Sequence, residues 1–281
     1  MYASYMKKIL LQFIFILGIL LAPVVSAQAA EKINLPVPYI PEAPDGLMIK
    51  PWNNSCEEAS MAMLDAYYFG NHANTIAKTK AKQAILNYIN IENKIFGYNA
   101  NTNAAEMAKL ISGYSHYYEA EVKTNPTLEE IKIELEAGRP VIALLYGKNL
   151  NNPRIPFART GSYYHTIVIK GFDNKTKEFI VNDNGDFSKG LDLRYSYDTI
   201  MDALRDYDHK TSQTVKPATA LFTRQRILVK TKDSNRVYLI TDNKKYYVSS
   251  PQVFKDRKWK WSFLMTVEKA WLDKFQTGNV I

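Results

Sequence analysis

The segment SCEEASMAMLDAYYFG, residues 55–70, carries the clearest structural signal in this chain. It predicts a helix that runs from residue 56 to residue 69 and stops at Gly70. Ser55 is a residue type that caps helices, and Glu58, three positions later, completes the spacing of a capping box. The first helical residue is therefore Cys56.

Cys56 is the single cysteine of the 281 residues. In an exported protein a lone cysteine is either a buried small hydrophobe or a reactive group, because oxidising compartments pair the others in disulfides. At a helix start it would meet unpaired backbone N–H groups and the positive end of the helix dipole, which lower the pKa of a thiol. Glu57 and Glu58 oppose this effect, so a histidinium partner would have to outweigh them. Together these observations favour reactivity.

Residues 1–29 predict an export signal. Two lysines precede an apolar run over residues 9–25, and Ala27-Gln28-Ala29 supplies small residues where a signal peptidase reads them. The alternative is an uncleaved membrane anchor, although the run is slightly short for a span. We expect the rest of the chain to be extracytoplasmic, either secreted or associated with the cell envelope.

The charge pattern narrows the range of partners. The chain has a formal net charge of +8, but its basic residues are scattered and build no nucleic-acid motif. No nucleic-acid partner is therefore expected. No cluster of histidine, cysteine and acidic residues has metal-ligand spacing, so no metal or cofactor is expected either.

The remaining pattern places helices first and strands later. Helices are predicted over residues 75–95, 104–112, 128–137 and 198–207, and strands over residues 140–146, 163–172 and 178–183. This order is typical of an α+β fold with an antiparallel sheet. After about Arg226, three short strands (227–230, 236–241 and 246–249) and a last helix over 266–275 predict a small α/β module. We assign residues 30–215 to the main domain and residues 220–281 to the C-terminal module, with Gln213–Pro217 as the linker.

His165 is the strongest candidate for a catalytic base. It opens the alternating strand Thr166–Ile169, whereas the other three histidines stand in polar or charged sequence. The next strand ends at Asp183. If the loop spans residues 173–177, the hairpin is centred near residue 175, and His165 and Asp183 share one face as direct or diagonal neighbours. Asn182 then points to the other face, unless a bulge intervenes.

Cys56, His165 and Asp183 follow the order of a Cys-His-Asx triad, with the nucleophile opening a helix and the base on a sheet. The sequence CEEASMAM of residues 56–63, followed by Tyr67-Tyr68, resembles the papain-like cysteine peptidases related to those that remove double-glycine leaders from bacteriocins. It is most similar to their secreted, transporter-free, C39-like branch. Further matching segments are 36–39, 138–142, 165–171 and 181–183. The likeness spans residues 34 to 210 and implies a papain-like fold.

The chain departs from the family pattern at two positions. The family often carries a glutamine upstream of the cysteine whose amide binds the oxyanion, and Asn53 is the substitute that the sequence offers, with the Cys56 backbone N–H as second donor. The usual Asp-Pro after the second strand is Asp183-Asn184 here, which keeps the carboxylate and loses a turn preference.

These residues predict a cysteine peptidase that hydrolyses peptide or amide bonds of a peptide or protein substrate through an acyl-enzyme. Two alternatives stay open: a catalytically weak or inactive papain-like binding protein of the cell envelope, and a transpeptidase or amidase that uses the same thiol. The aromatic and basic segment 254–261 of the C-terminal module suggests a tether to an envelope polymer. Alternatively, Trp259 and Trp261 supply the core of a small module.

Overall fold

The computed structural model describes residues 30–155, 163–187 and 189–281. Its helices are α1 (Cys56–Tyr68), α2 (Lys78–Phe96), α3 (Ala104–Tyr114), α4 (Leu128–Glu136), α5 (Tyr197–Ala203), α6 (Pro251–Asp256) and α7 (Lys269–Leu272). Its strands are β1 (Lys32–Asn34), β2 (Tyr118–Thr124), β3 (Val141–Tyr146), β4 (Tyr164–Asp173), β5 (Glu178–Asn182), β6 (Leu193–Ser196), β7 (Asp206–Asp208), β8 (Gln213–Val215), β9 (Thr219–Gln225), β10 (Ile227–Thr231), β11 (Tyr238–Thr241), β12 (Lys244–Tyr247), β13 (Met265–Val267) and β14 (Gln276–Thr277). The export signal predicted for residues 1–29 lies outside the described residues. Within the part of the chain that is described, no helix has the length and apolar character needed to cross a membrane.

The predicted α+β fold is confirmed. The large sheet has the strand order β2-β9-β3-β4-β5-β6, and β1 adds to β4. All of these strand pairs are antiparallel. Helix α1 packs against β4, so the element that begins with Cys56 lies on the strand that begins beside His165. The main core fills the space between the helices and this sheet and contains Met61, Met63 and Leu64 of α1.

Side-chain caps mark the starts of α3, α4 and α5. The capping boxes predicted at Asn103 and Thr127 are both present. The one predicted at Ser55 is wrong, although α1 does begin at Cys56. The Ser55 hydroxyl donates to the Pro51 carbonyl at 2.9 Å, and its side chain makes no cap hydrogen bond. The start of α1 is instead bound by Asn184, whose side-chain amide donates to the Cys56 carbonyl.

The hairpin β4–β5 has the predicted register, but it contains a bulge that was not predicted. Val168 lies opposite Asn182, which centres the pairing on residue 175 as expected. The loop is one residue shorter than predicted, and a bulge at Lys170 compensates for it, so that Gly171 lies opposite Ile180. The bulge also lets β1 approach closely: a Cβ on Gly171 would clash with the Ile33 carbonyl oxygen.

The C-terminal part departs furthest from the prediction. Gln213–Val215, predicted as a linker, is strand β8 and forms a hairpin with β7. Strand β9, assigned to the module by the 220–281 boundary, lies between β2 and β3 in the large sheet. The second sheet starts only at β10 and has the order β13-β10-β11-β12-β14. Residues 31–281 pack as one unit, and independent folding of the C-terminal module stays a prediction.

The predicted last helix over 266–275 is largely wrong. Its first residues belong to β13, which pairs in parallel with β10, and only α7 is helical. Trp259 is buried and packs edge-on against Phe254, as a core residue of the second sheet. Trp261 is 54% exposed and stacks flat on the same ring at 3.8 Å. One tryptophan is therefore a core residue and the other a surface residue.

Candidate active site

The first turn of α1 and the first residues of β4 bring Cys56 and His165 together. A carboxylate oxygen of Glu42, the Sγ atom of Cys56 and a ring nitrogen of His165 all lie within 4.8 Å of one another. All three side chains are buried, and Cys56 retains 5% of its exposure. Sequence reasoning identified the cysteine and the histidine. It missed Glu42, which lies 14 positions before Cys56 in the proline-rich lead-in.

Asp183 holds the far side of the histidine ring. Its Oδ1 atom lies 2.8 Å from His165 Nε2. The Tyr195 hydroxyl donates to Oδ2 at 2.7 Å, and the Gly185 backbone N–H donates to Oδ1 at 3.2 Å. The carboxylate is fully buried, so these donors fix its position. Because Nε2 faces Asp183, Nδ1 is the ring nitrogen through which His165 would exchange a proton with the thiol.

Asn182 points to the other face of the hairpin, as its register requires. Its Nδ2 atom lies 3.0 Å from the Val37 carbonyl oxygen and 3.3 Å from that of Pro38, and it contacts the Met63 sulfur. This amide therefore fastens the lead-in segment to β5. It does not take part in the contact with His165.

Asn184 connects helix α1 to strand β4 through hydrogen bonds that the sequence did not predict. Its Nδ2 atom donates to the Cys56 carbonyl at 2.8 Å, to Ser60 Oγ at 2.9 Å and to the Thr166 carbonyl at 3.1 Å. The side chain thus ties the first turn of α1 to β4. This position follows Asp183 directly, so one short segment fixes both the histidine and the helix that carries the thiol.

The thiol environment corrects the predicted direction of its pKa. Burial raises the pKa of Cys56 well above its ordinary value, and the nearby carboxyl groups of Glu57 and Glu42 raise it further. The Sγ–H group donates to Glu57 Oε2 at 2.9 Å, and Glu57 Oε1 accepts the Thr102 backbone N–H at 2.8 Å. These effects outweigh the helix dipole, because the dipole contributes about 1 kcal/mol whereas burial penalises the thiolate directly.

Glu57 should therefore control thiol reactivity. Burial raises the pKa of the Glu57 carboxyl to about 7, so above neutral pH the ionised carboxylate raises the pKa of the thiol. In Glu57→Gln the amide oxygen can still accept from Thr102 while the charge is gone. We expect the midpoint of Cys56 alkylation by iodoacetamide to fall by roughly one pH unit, about 1.4 kcal/mol.

Alkylation followed by mass spectrometry over a pH series measures this midpoint. The control is the urea-unfolded protein, in which both chains should show the free-thiol value of about 8.5. An unchanged or higher midpoint in the folded Glu57→Gln protein would contradict the assigned role of Glu57.

Asn53, which the sequence suggested as an oxyanion donor, is exposed, whereas Glu42, which the sequence did not suggest, lies beside the thiol. Asn53 lies on the short 3-10 turn Trp52–Asn54, and its side chain is exposed. Glu42 is 2% exposed and lies beside the sulfur. The Glu42, Cys56 and His165 donors could also hold a metal ion, a grouping that sequence spacing did not indicate because the three residues are far apart in the chain.

The remaining histidines lie away from this cluster. His209 Nε2 lies 2.7 Å from a Glu106 carboxylate oxygen, His72 lies near the Tyr67 ring, and His116 packs against Phe263. His165 is the histidine that lies beside the thiol.

The comparisons with known proteins identify the family to which the chain belongs. A family model described as Peptidase_C39 like matches residues 34–215, more than half of the chain. The chain belongs to this family. Among solved structures, a protein from Bacillus anthracis described as a candidate C39-like peptidase is 17% identical, over 69% of this chain and 98% of that one, with a TM-score of 0.43. No curated protein matches the chain.

Proposed function

We propose that this protein is a cysteine peptidase that hydrolyses peptide or amide bonds with Cys56 as nucleophile, His165 as base and Asp183 as the residue that orients the base. The observation that carries the proposal is the continuous arrangement of the three side chains. A His165 ring nitrogen lies within 4.8 Å of the sulfur, and Nε2 lies 2.8 Å from Asp183. Membership of a peptidase family supports the same reaction.

The reaction begins when Sγ attacks the carbonyl carbon of the substrate. The thiol proton passes to His165 Nδ1, and Asp183 stabilises the imidazolium that forms. Collapse of the tetrahedral intermediate expels the amine, which takes its proton from His165 and leaves an acyl-enzyme. A water molecule, deprotonated by His165, then releases the acid. Because burial and Glu57 raise the pKa of the resting thiol, this enzyme would transfer the proton during the attack.

A cavity of about 320 Å³ supports a neutral substrate segment. Two of its lining residues are near the proposed catalytic residues in the sequence: Asn54 precedes Cys56 by two positions, and Tyr164 precedes His165 directly. Its lining is aromatic and uncharged: Asn54, Ala100, Asn101, Tyr163, Tyr164, Tyr207, Ser212, Gln213 and Thr214. Aromatic faces and amides bind peptide groups and apolar side chains, so the substrate segment bound there need not carry a charge.

The second candidate is a catalytically weak, papain-like binding protein. Burial of Cys56 and His165 favours it, as does a thiol that donates to Glu57. A transpeptidase or amidase would use the same three residues, with an amine or another amide as reactant. The product identifies the acceptor of the acyl group, so one assay can separate these activities.

The test combines covalent labelling with product analysis. A peptide mixture should be cleaved by the wild-type protein and not by Cys56→Ala, and an epoxide inhibitor should label Cys56 alone and block the cleavage. His165→Ala should remove both cleavage and inhibitor labelling. Mass spectrometry of the products, with and without an added amine, separates hydrolysis from acyl transfer. Epoxide labelling of Cys56 without any cleavage or transfer would favour the binding protein.

We further propose that the chain acts outside the cytoplasm and contacts a cell-envelope polymer through its C-terminal part. The export signal predicted from the sequence supports the first statement. The second is supported by Trp261, whose ring is exposed and which follows Arg257, Lys258 and Lys260 closely in the sequence. Aromatic faces stack on sugar rings, and cations attract anionic polymers.

A further inference from the structure

Glu42 occupies a fixed position in the lead-in segment. Its backbone N–H donates to the Asn184 carbonyl at 3.0 Å. The flanking residues Ile40 and Ala43 are each 1% exposed. Tyr39 binds the same region from the other side, since its hydroxyl donates to the Asp186 carbonyl at 2.9 Å. The side chain of Glu42 therefore lies at the site because its backbone is held there on both sides.

The carboxyl group is buried and incompletely satisfied. Among the described residues, its Oε1 atom has no hydrogen-bond partner, although the side chain is only 2% exposed. A buried polar atom without a partner costs about 1–3 kcal/mol, so such an atom beside a nucleophile is a candidate to bind an atom of the substrate. Here one carboxylate oxygen lies within 4.8 Å of the Cys56 sulfur.

This distance suits a donor to the oxyanion. A donor must lie about 3 Å from the oxygen that becomes negative. That oxygen is joined to Sγ through the carbonyl carbon, two bonds away. A group within 4.8 Å of the sulfur can therefore lie at hydrogen-bonding distance from the oxyanion.

Burial and the surrounding charges determine whether the Glu42 carboxyl group is protonated. The titratable groups that face Glu42 come from four parts of the fold: Tyr39, Cys56, Glu57, His165 and Asp183. Burial raises the pKa of Glu42 well above its ordinary value, and the charges of Asp183 and Glu57 raise it further. An ionised Glu42 would repel the oxyanion, whereas a protonated one has an O–H to donate. A carboxylic acid kept neutral at physiological pH can serve in this way.

We infer that Glu42, as a neutral carboxylic acid, donates a hydrogen bond to the oxyanion of the tetrahedral intermediate, a role that rests on the proposed peptidase function. As the C–S bond forms, the electron pair of the C=O π bond moves onto oxygen, and the Glu42 O–H stabilises it without losing its proton. The backbone N–H of Cys56, at the unpaired start of α1, is the second donor. When the intermediate collapses, the pair re-forms the C=O bond as the C–N bond breaks.

The experiment compares Glu42→Gln and Glu42→Ala with the wild type, using a peptide that the wild type cleaves. The glutamine amide is a permanently neutral donor of the same length. We expect Glu42→Gln to keep kcat within a few fold at neutral pH. Glu42→Ala should lower kcat by a factor on the order of 10² to 10³ with little change in KM, since the contact exists only in the transition state. The alkaline fall of the wild-type profile that comes from ionised Glu42 should be absent in Glu42→Gln.

Asn53→Ala tests the oxyanion donor that the sequence suggested: if Glu42 is the donor, Asn53→Ala should lower kcat far less than Glu42→Ala, because the Asn53 side chain is exposed, and an equal or larger loss would overturn the inference. EDTA in every assay removes any cation from Glu42, Cys56 and His165. Thermal unfolding confirms that each variant is folded. Equal kcat in Glu42→Ala and wild type would overturn the inference, as would a Glu42→Gln protein as slow as Glu42→Ala. If the wild type cleaves nothing and an epoxide fails to label Cys56, the proposed function itself has failed.

Discussion

If the chain has the proposed peptidase activity, replacing Asp183 with alanine should slow peptide turnover by a factor on the order of 10² or more. The loss arises because Asp183 Oδ1 lies 2.8 Å from His165 Nε2 and stabilises the imidazolium that each half-reaction forms. Without this carboxylate, the ring loses both its orientation and the charge that offsets its own. Steady-state kinetics with a fluorogenic peptide would measure kcat and KM.

Asn182→Ala is the matched control for Asp183→Ala. The two residues are adjacent and fully buried, and each loses its hydrogen bonds on truncation. Asn182 binds the carbonyls of Val37 and Pro38, not His165. Both variants should therefore lose stability, and only Asp183→Ala should lose turnover at a temperature where both are folded. A larger loss of turnover from Asn182→Ala would show that the wrong residue had been assigned to His165.

A chain that ends at Val215 should fail to fold, which reverses the outcome that a 215/220 domain boundary predicts. Such a chain lacks β9, and therefore leaves a gap between β2 and β3. Burial of a large apolar side chain such as Leu221 contributes about 1.5–3 kcal/mol, and two lost ladders of backbone hydrogen bonds add to this. The total is comparable to the 5–15 kcal/mol that stabilises a typical domain. Circular dichroism and thermal unfolding would show the loss.

A chain that ends at Arg226 is the control. It keeps β9 and the guanidinium that donates to the Ser115 and Tyr118 carbonyls. It loses only the second sheet and the contacts of that sheet with residues such as Tyr117. We expect this chain to fold with lower stability, to keep Cys56 alkylation, and to bind cell-envelope preparations less than the full chain. A folded chain that ends at Val215 would contradict the importance of β9.

Local patterns in the sequence predict the elements that form from their own residues. The strand Val141–Tyr146 is an apolar run, and capping residues mark the starts of α3 and α4. The pairing of His165 with Asp183 follows from the alternation of side chains along two neighbouring strands. The observed loop is one residue shorter than predicted, but the bulge at Lys170 compensates for this and keeps the predicted register.

The rest depends on contacts between distant parts of the chain. Nothing in Thr219–Gln225 indicates that this strand enters between β2 and β3, because strand order is set by packing across the whole sheet. Glu42 is likewise separated from Cys56 by a turn-rich segment, so its carboxyl group has no periodic relation to the helix. The pKa of the thiol was predicted in the wrong direction, since the sequence shows neighbouring charges but not the depth of burial.

The position of β9 also bears on the order in which the protein is made. An interior strand of the large sheet becomes available only after the first 218 residues have been synthesised. Domains fold as units while the chain grows, and strands that pair over long sequence separations form late. A growing chain that already carries Cys56, His165 and Asp183 still has an open gap between β2 and β3. We therefore expect Cys56, His165 and Asp183 to come together only after β9 has been made and has paired with β2 and β3.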